Sequence, residues 1–201
     1  MKLFASAFIA LCLATAAHAT DSPAVGSAAP QFSLPDASGK TRSLSDYKGK
    51  FVVLEWFNPD CPFVKKHYGS GNMQKLQAEF VGKGVAWLSI DSSAPGAEGN
   101  LSQEQAQKVM ADWKTKQSAL LLDPDGKVGK SYGARNTPHM FVINPEGKIV
   151  YEGAIDSKAT PNPDDIASST NYVKVALDES MGGKPITNAN TRPYGCSVKY
   201  Q

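Results

Sequence analysis

A chain of 201 residues with 21 basic and 19 acidic side chains and a formal charge of +2 is long enough for one domain with a sizeable core. It carries no basic block or Arg-rich stripe, which excludes the electrostatic footprint of a nucleic-acid binder. Its longest apolar run, Leu3 to Leu13, is too short to span a bilayer as a helix.

That run follows the single charge of Lys2 and leads to Ala17-His18-Ala19. A positive start, a short apolar centre and a small-x-small exit predict a secretory signal peptide over residues 1–19, cut after Ala19. The protein is then expected in the periplasm or outside the cell, with no stable membrane insertion after cleavage. Cys12 and Lys2 leave with the signal, so the charge falls to +1 and two cysteines remain, Cys61 and Cys196. An oxidising compartment lets such a pair form a structural or a catalytic disulfide. Spacing alone does not say whether they meet.

In chain order, Gln31 to Leu34 and Thr41 to Leu44, joined by the turn Pro35 to Lys40, predict a hairpin. Phe51 to Phe57 is an apolar run broken only by Glu55, which reads as a buried central strand. A helix begins at Pro62 and is interrupted near Gly69-Ser70-Gly71. It resumes with the helical spacing of Met73, Leu76 and Phe80 and stops at Gly82-Lys83-Gly84. Val85 to Ile90 is a second buried strand. Ser102 with Gln105 forms a capping box for a helix running to about Lys116. Leu120 to Leu122 is a short strand, and Val128 to Tyr132 a short helix. Met140 to Ile143 and Ile149 to Glu152 form a hairpin around Asn144-Pro145-Glu146-Gly147-Lys148. A Pro-rich loop over 156–165 precedes a last helix, Thr170 to Met181, and residues 184–201 show no strong periodicity. Strands separated by helices call for parallel pairing and the late hairpin adds an antiparallel edge, so the sheet is mixed and covered by helices.

The chemistry centres on Cys61. It lies between the central strand, the breaker Asn58-Pro59-Asp60 and Pro62, which suits the first turn of a helix. The free N–H groups and dipole of that helix end favour a thiolate, the reactive form, and Lys65 and Lys66 add positive field one turn on. The rival reading is an inert, buried cysteine. Asp123-Pro124-Asp125-Gly126 lacks the later ligands of a calcium loop and reads as a turn. Trp56, Trp87 and Trp113 read as core residues.

The order strand, Cys-Pro, helix, followed by Tyr132-Gly133-Ala134-Arg135-Asn136-Thr137-Pro138 and the hairpin Phe141 to Val150, resembles the thioredoxin-like fold. More narrowly it resembles the redoxin branch, the alkyl hydroperoxide reductase/thiol-specific antioxidant proteins and their secreted thiol–disulfide relatives. The lead-in Val25 to Leu34 matches that branch. The site Cys61-Pro62-Phe63-Val64 and the ending Gly195-Cys196 resemble a subgroup with a Cys-Pro-[Phe/Tyr]-Val site and a C-terminal Gly-Cys. The resemblance implies an α/β fold, a thioredoxin-like three-layer sandwich with an N-terminal β-hairpin extension. It places a redoxin domain over 24–182 and a tail over 183–201. It also implies that Cys61 is the nucleophile, that Pro138 is cis, and that Thr137 beside it offers backbone groups to a bound partner chain. Val64 stands where a thioredoxin dithiol needs its second cysteine. The peroxiredoxin pattern Pro-x-x-x-Thr-x-x-Cys meets Leu54 and Asn58.

These residues predict a thiol–disulfide oxidoreductase or thiol-dependent peroxidase with Cys196 as resolving thiol. Its partners would be a peroxide or protein disulfide and an unidentified thiol reductant, and no cofactor or metal is expected. Pro62, Glu55 and His139 are candidates for tuning Cys61, Glu55 by accepting its proton. His67 and His139 otherwise read as half-buried or surface residues. Two other classes remain. In one, a non-catalytic thioredoxin-fold binding module is stapled by a Cys61–Cys196 disulfide; in the other, a copper-handling protein uses Cys61 with a histidine.

Overall fold

The computed structural model describes residues 22–201; the expected signal peptide lies outside the described residues. The first strands, β1 (Ser33–Pro35) and β2 (Thr41–Ser43), pair antiparallel as the expected hairpin. Asp36 holds its turn by accepting from Ser38 N, Lys40 N and the Arg42 guanidinium.

Strand β3 (Val52–Trp56) is buried along its whole length. It leads into α1 (Pro62–Gly69) and, after the break expected near Gly71, α2 (Asn72–Gly82). Then come β4 (Ala86–Asp91), α3 (Gln103–Asp112), β5 (Ala119–Leu122) and α4 (Lys127–Ser131). The Ser102–Gln105 capping box forms as read. Helix α3 ends earlier than expected, because Lys114 adopts a left-handed φ of 51°. The chain finishes with β6 (Asn136–Thr137), β7 (His139–Ile143), β8 (Ile149–Gly153), α5 (Tyr172–Met181) and β9 (Cys196–Ser197).

The central sheet runs β5-β4-β3-β7-β8. Strands β3, β4 and β5 are parallel, and β7 and β8 close the sheet antiparallel, the mixed sheet of a thioredoxin-like fold. Alternation along the strands separates two cores. Val53, Trp87, Leu120, Met140 and Val142 pack under side chains of α1, α2, α3 and α5. Leu54, Trp56, Leu88, Ile90, Leu121 and Phe141 face the N-terminal hairpin and Val128 of α4. The sheet is therefore the middle of three layers. Among the described residues no helix is long and apolar enough to cross a membrane.

The tail, without strong periodicity in sequence, nevertheless takes a definite place in the fold. Residues 196–197 form a ladder with β6, although a two-residue strand leaves no periodic trace in the sequence. Its order comes from distant partners.

Candidate active site

The buried end of β3 and the start of α1 fix Cys61 between them. Phe57 still belongs to the sheet through its N–H to Ile90 O at 2.8 Å. Asn58 turns the chain: its Oδ1 accepts from Asp60 N at 2.7 Å and its Nδ2 donates to Glu98 O at 3.1 Å. Cys61 is the N-cap of α1 in extended conformation, with Pro62 directly after it. Its side chain makes no cap bond, so the sulfur is free to face outward from the helix end. It points at the Thr137-Pro138 loop, donating to Thr137 O at 3.0 Å, and the peptide bond between those residues is cis.

The C-terminal tail completes the site. In the β6–β9 ladder, Thr137 is the register partner of Cys196 and Asn136 of Ser197, and Asn136 Nδ2 donates to Gly195 O at 2.9 Å. Further on, Val198 N donates to Arg135 O at 3.0 Å, Ala94 N to Lys199 O at 2.8 Å, and Tyr200 OH to Ala134 O at 2.8 Å. Two glycines make this docking possible. A Cβ on Gly195, at φ 121°, would lie 2.1 Å from Thr137 O, and one on Gly129 would lie 2.4 Å from Tyr200 Oη. Both cysteines are free thiols; Cys61 is fully buried and Cys196 half-buried.

Burial pushes the Cys61 thiol up. Hydrogen bonds from the Cys196 thiol, from Thr137, and from the backbone N–H groups of Cys196 and Val64 outweigh it and hold the thiol below its ordinary value. The Val64 N–H is a free donor of the first helical turn. While Cys61 is protonated and donates to Thr137 O, Thr137 Oγ1 is buried with no hydrogen-bond partner among the described residues, so it is free to donate once the thiolate forms. Cys196 is pushed up to about 12 by burial, by its hydrogen bond to Cys61 and by the charge of that neighbour. The two sulfurs thus divide their roles, one tending to ionise and one to keep its proton.

The tuning candidates are placed differently. Pro62 occupies the first helical position beside the sulfur. Glu55 is fully buried and accepts from Trp87 Nε1 (2.8 Å), Ser89 Oγ (2.9 Å), Tyr68 OH (2.9 Å) and Gln77 Nε2 (3.4 Å). Those partners tie β3 to β4, α1 and α2, and none of them is Cys61. Burial raises the Glu55 carboxyl against these hydrogen bonds. His139 is buried and stacks on Phe141 at 4.6 Å in the core on the far side of the sheet from Cys61. Its Nδ1 accepts from Arg135 N at 3.3 Å, and burial with the nearby Arg135 lowers it to about 3. The structure does not bring it to the sulfur, because odd-numbered residues of β7 face away from α1.

The lysines also depart from expectation. Lys65 is exposed and lies 3.7 Å from Asp60, whereas Lys66 turns inward to Asp156 at 3.3 Å and to Lys158 O at 2.8 Å. His67 is fully buried beside it. Its Nδ1 accepts from Asn72 Nδ2 at 2.9 Å, so the Nε2–H donates to Tyr194 OH at 3.3 Å. Burial lowers His67 to about 4 despite the charge of Asp156. Tyr194 in turn donates to Asp156 Oδ1. Sequence reasoning missed Asp156 and Tyr194; the one available signal was the placement of Tyr194 two positions before Cys196. No group of three or more His, Cys, Asp or Glu side chains converges as a metal site among the described residues.

Parallel β3–β4–β5 with an antiparallel hairpin, a cysteine at a helix N-terminus and a cis-proline loop facing it define a thioredoxin-like redox protein. Residues 25–152 match the AhpC/TSA family model, and the chain belongs to that family. The "Thiol-disulfide oxidoreductase ResA" of Bacillus subtilis (strain 168) is 32% identical over 125 residues, covering 62% of this chain and 64% of that protein, short of two thirds of its length. An uncharacterized conserved protein of Geobacillus kaustophilus superposes with a TM-score of 0.79 at 27% identity, covering 89% of this chain and 93% of its own. A putative thiol:disulfide interchange protein DsbE of Chlorobium tepidum gives a TM-score of 0.54 at 26% identity, over 65% and 85% of the two chains.

Proposed function

We propose that the protein is a periplasmic or secreted thiol–disulfide oxidoreductase whose redox pair is Cys61 and Cys196. The observation that carries this reading is the register pairing of Thr137 with Cys196, which holds the second thiol against a sulfur already hydrogen-bonded to Thr137 O. The leader-like residues 1–19 support the location.

In the first step the Cys61 thiolate attacks one sulfur of a substrate disulfide. The substrate S–S bond breaks, one half leaves as a thiolate and takes up a proton, and Cys61 is left in a mixed disulfide. Its negative charge is then gone, and with it a cause of the high Cys196 value. Cys196 loses its proton more readily at that moment, attacks Cys61 Sγ and releases the second substrate thiol. The substrate gains two electrons and the protein keeps a Cys61–Cys196 disulfide, which an external thiol reductant reopens. A disulfide is favoured over a peroxide because position 58, where the peroxiredoxin pattern has a threonine hydroxyl, carries an asparagine whose amide is taken up by Glu98 and Asp60.

Reduced protein, mixed with glutathione disulfide or with hydrogen peroxide, is followed by stopped flow and mass spectrometry. The expected result is one Cys61–Cys196 bond, formed faster by the disulfide and lost in Cys61→Ser. Faster oxidation by peroxide would make the protein a peroxidase instead. A bond that resists glutathione, with a potential below about −300 mV, would make it a static staple.

A further inference from the structure

The buried cluster beneath the tail has no part in the electron transfer just described, yet it grips the segment that carries Cys196. Lys66 and His67 lie on the helix that begins at Cys61, and both side chains are fully shielded from solvent, as is Asp156 to within 1%. Asp156 receives the Lys66 ammonium on Oδ2 and the N–H of Lys158 on Oδ1. The remaining donor to this carboxylate is the Tyr194 hydroxyl, which also accepts from His67 Nε2. The Tyr194 ring packs on Phe63, two residues beyond Cys61, with centroids 5.8 Å apart, and the Lys66 ammonium stands 5.6 Å from its centroid.

From these contacts we infer that Tyr194 is the positioning residue of the resolving cysteine, latching the strand of Cys196 onto the helix of Cys61 through Asp156 and His67. The inference rests on the redox-pair reading above and extends it. Only Gly195 separates Tyr194 from Cys196, so a fixed hydroxyl leaves that thiol little room to leave its ladder with Thr137. A charge-assisted hydrogen bond is stronger than a neutral one and demands a definite geometry. Holding a thiol in place raises its effective concentration at the partner sulfur. That stabilises the disulfide relative to the dithiol and hastens its closure.

Tyr194→Phe keeps the ring on Phe63 and deletes only the hydroxyl. In full-length protein equilibrated with glutathione buffers, the variant's dithiol/disulfide equilibrium is expected to shift about tenfold toward the dithiol. That corresponds to a potential about 30 mV less negative. In a Cys196→Ser background, iodoacetamide modification of Cys61 is expected to accelerate when Tyr194→Phe is added. Tyr194→Leu, which also retains apolar cover, serves as the second variant with the same expected direction. A reversible wild-type disulfide whose potential is unchanged in both variants, whatever their melting temperatures, would overturn the positioning role and leave the redox pair intact. A wild type that forms no reversible Cys61–Cys196 disulfide would overturn both.

Discussion

Thr137 and Cys196 face each other across the two-residue ladder of β6 and β9, and the same Thr137 accepts the Cys61 thiol proton on its carbonyl. The S–H···O bond belongs to the protonated form of Cys61. Ionisation therefore requires the sulfur to exchange that carbonyl for donors, and the tail supplies two of them, the Cys196 thiol and its backbone N–H.

Removing one of those donors gives the first prediction. In Cys196→Ala the thiol donor disappears while the backbone N–H stays. A hydrogen bond to a charged group contributes about 1.5–3 kcal/mol, so the Cys61 midpoint is expected to rise by about one to two pH units. Titration of Cys61 by thiolate absorbance against pH checks this. A midpoint that stays put or falls would place the main stabilisation in the helix end.

Gly195→Ala tests the docking of the tail. The added methyl would meet Thr137 O at 2.1 Å, at a φ of 121° where residues with a Cβ are strained. The β6–β9 ladder is expected to open and expose the fully buried Cys61. In a Cys196→Ser background, alkylation of Cys61 should rise by at least about tenfold, the factor set by about 1.4 kcal/mol of lost protection. Unchanged alkylation would mean that the tail is not what covers the sulfur.

Much of this site was legible because local rules carry it. A seven-residue apolar run, a breaker and Cys-Pro at a helix start fix Cys61 through strand length and helix-end chemistry alone. The resemblance then placed Thr137-Pro138 opposite it. The seat of Tyr194 was not legible, since Asp156 lies in a loop, Lys66 read as positive field for the Cys61 thiolate and His67 as a half-buried or surface residue. Their convergence depends on how β8 and the tail pass over α1, contacts that join residues 90 and 127 positions apart. His139 misled for a related reason: adjacency to Pro138 in sequence says nothing about the face of the sheet, and one step along β7 reverses it.

Glu55 gives a prediction about pH. Burial raises its carboxyl above 4.5, so the folded protein holds that proton more tightly than the unfolded chain does. Its contribution to stability is then present below about pH 4.5 and is lost as pH rises through the folded value. Glu55→Gln cannot titrate. The stability of wild type relative to the variant, from urea unfolding at stepped pH, should fall as pH rises above 4.5. Because Glu55 does not touch the sulfur, the Cys61 midpoint should move by no more than a few tenths of a unit. A larger displacement would restore Glu55 as a direct proton acceptor.

The Lys66–Asp156 pair makes the last test. Both side chains are shielded from water at 3.3 Å, so deleting either leaves the other charge buried without its partner. Such deletions cost about 3–5 kcal/mol, and urea unfolding of Asp156→Ala and of Lys66→Met should each show a loss of that order. Once one charge is gone, losing the second relieves an isolated ion instead of creating one. The double variant is therefore expected to be more stable than the sum of the two losses predicts, by about 1–3 kcal/mol. Strict additivity would show that the two charges do not depend on each other. The Tyr194 hydroxyl would then sit on a carboxylate whose charge Lys66 does not balance.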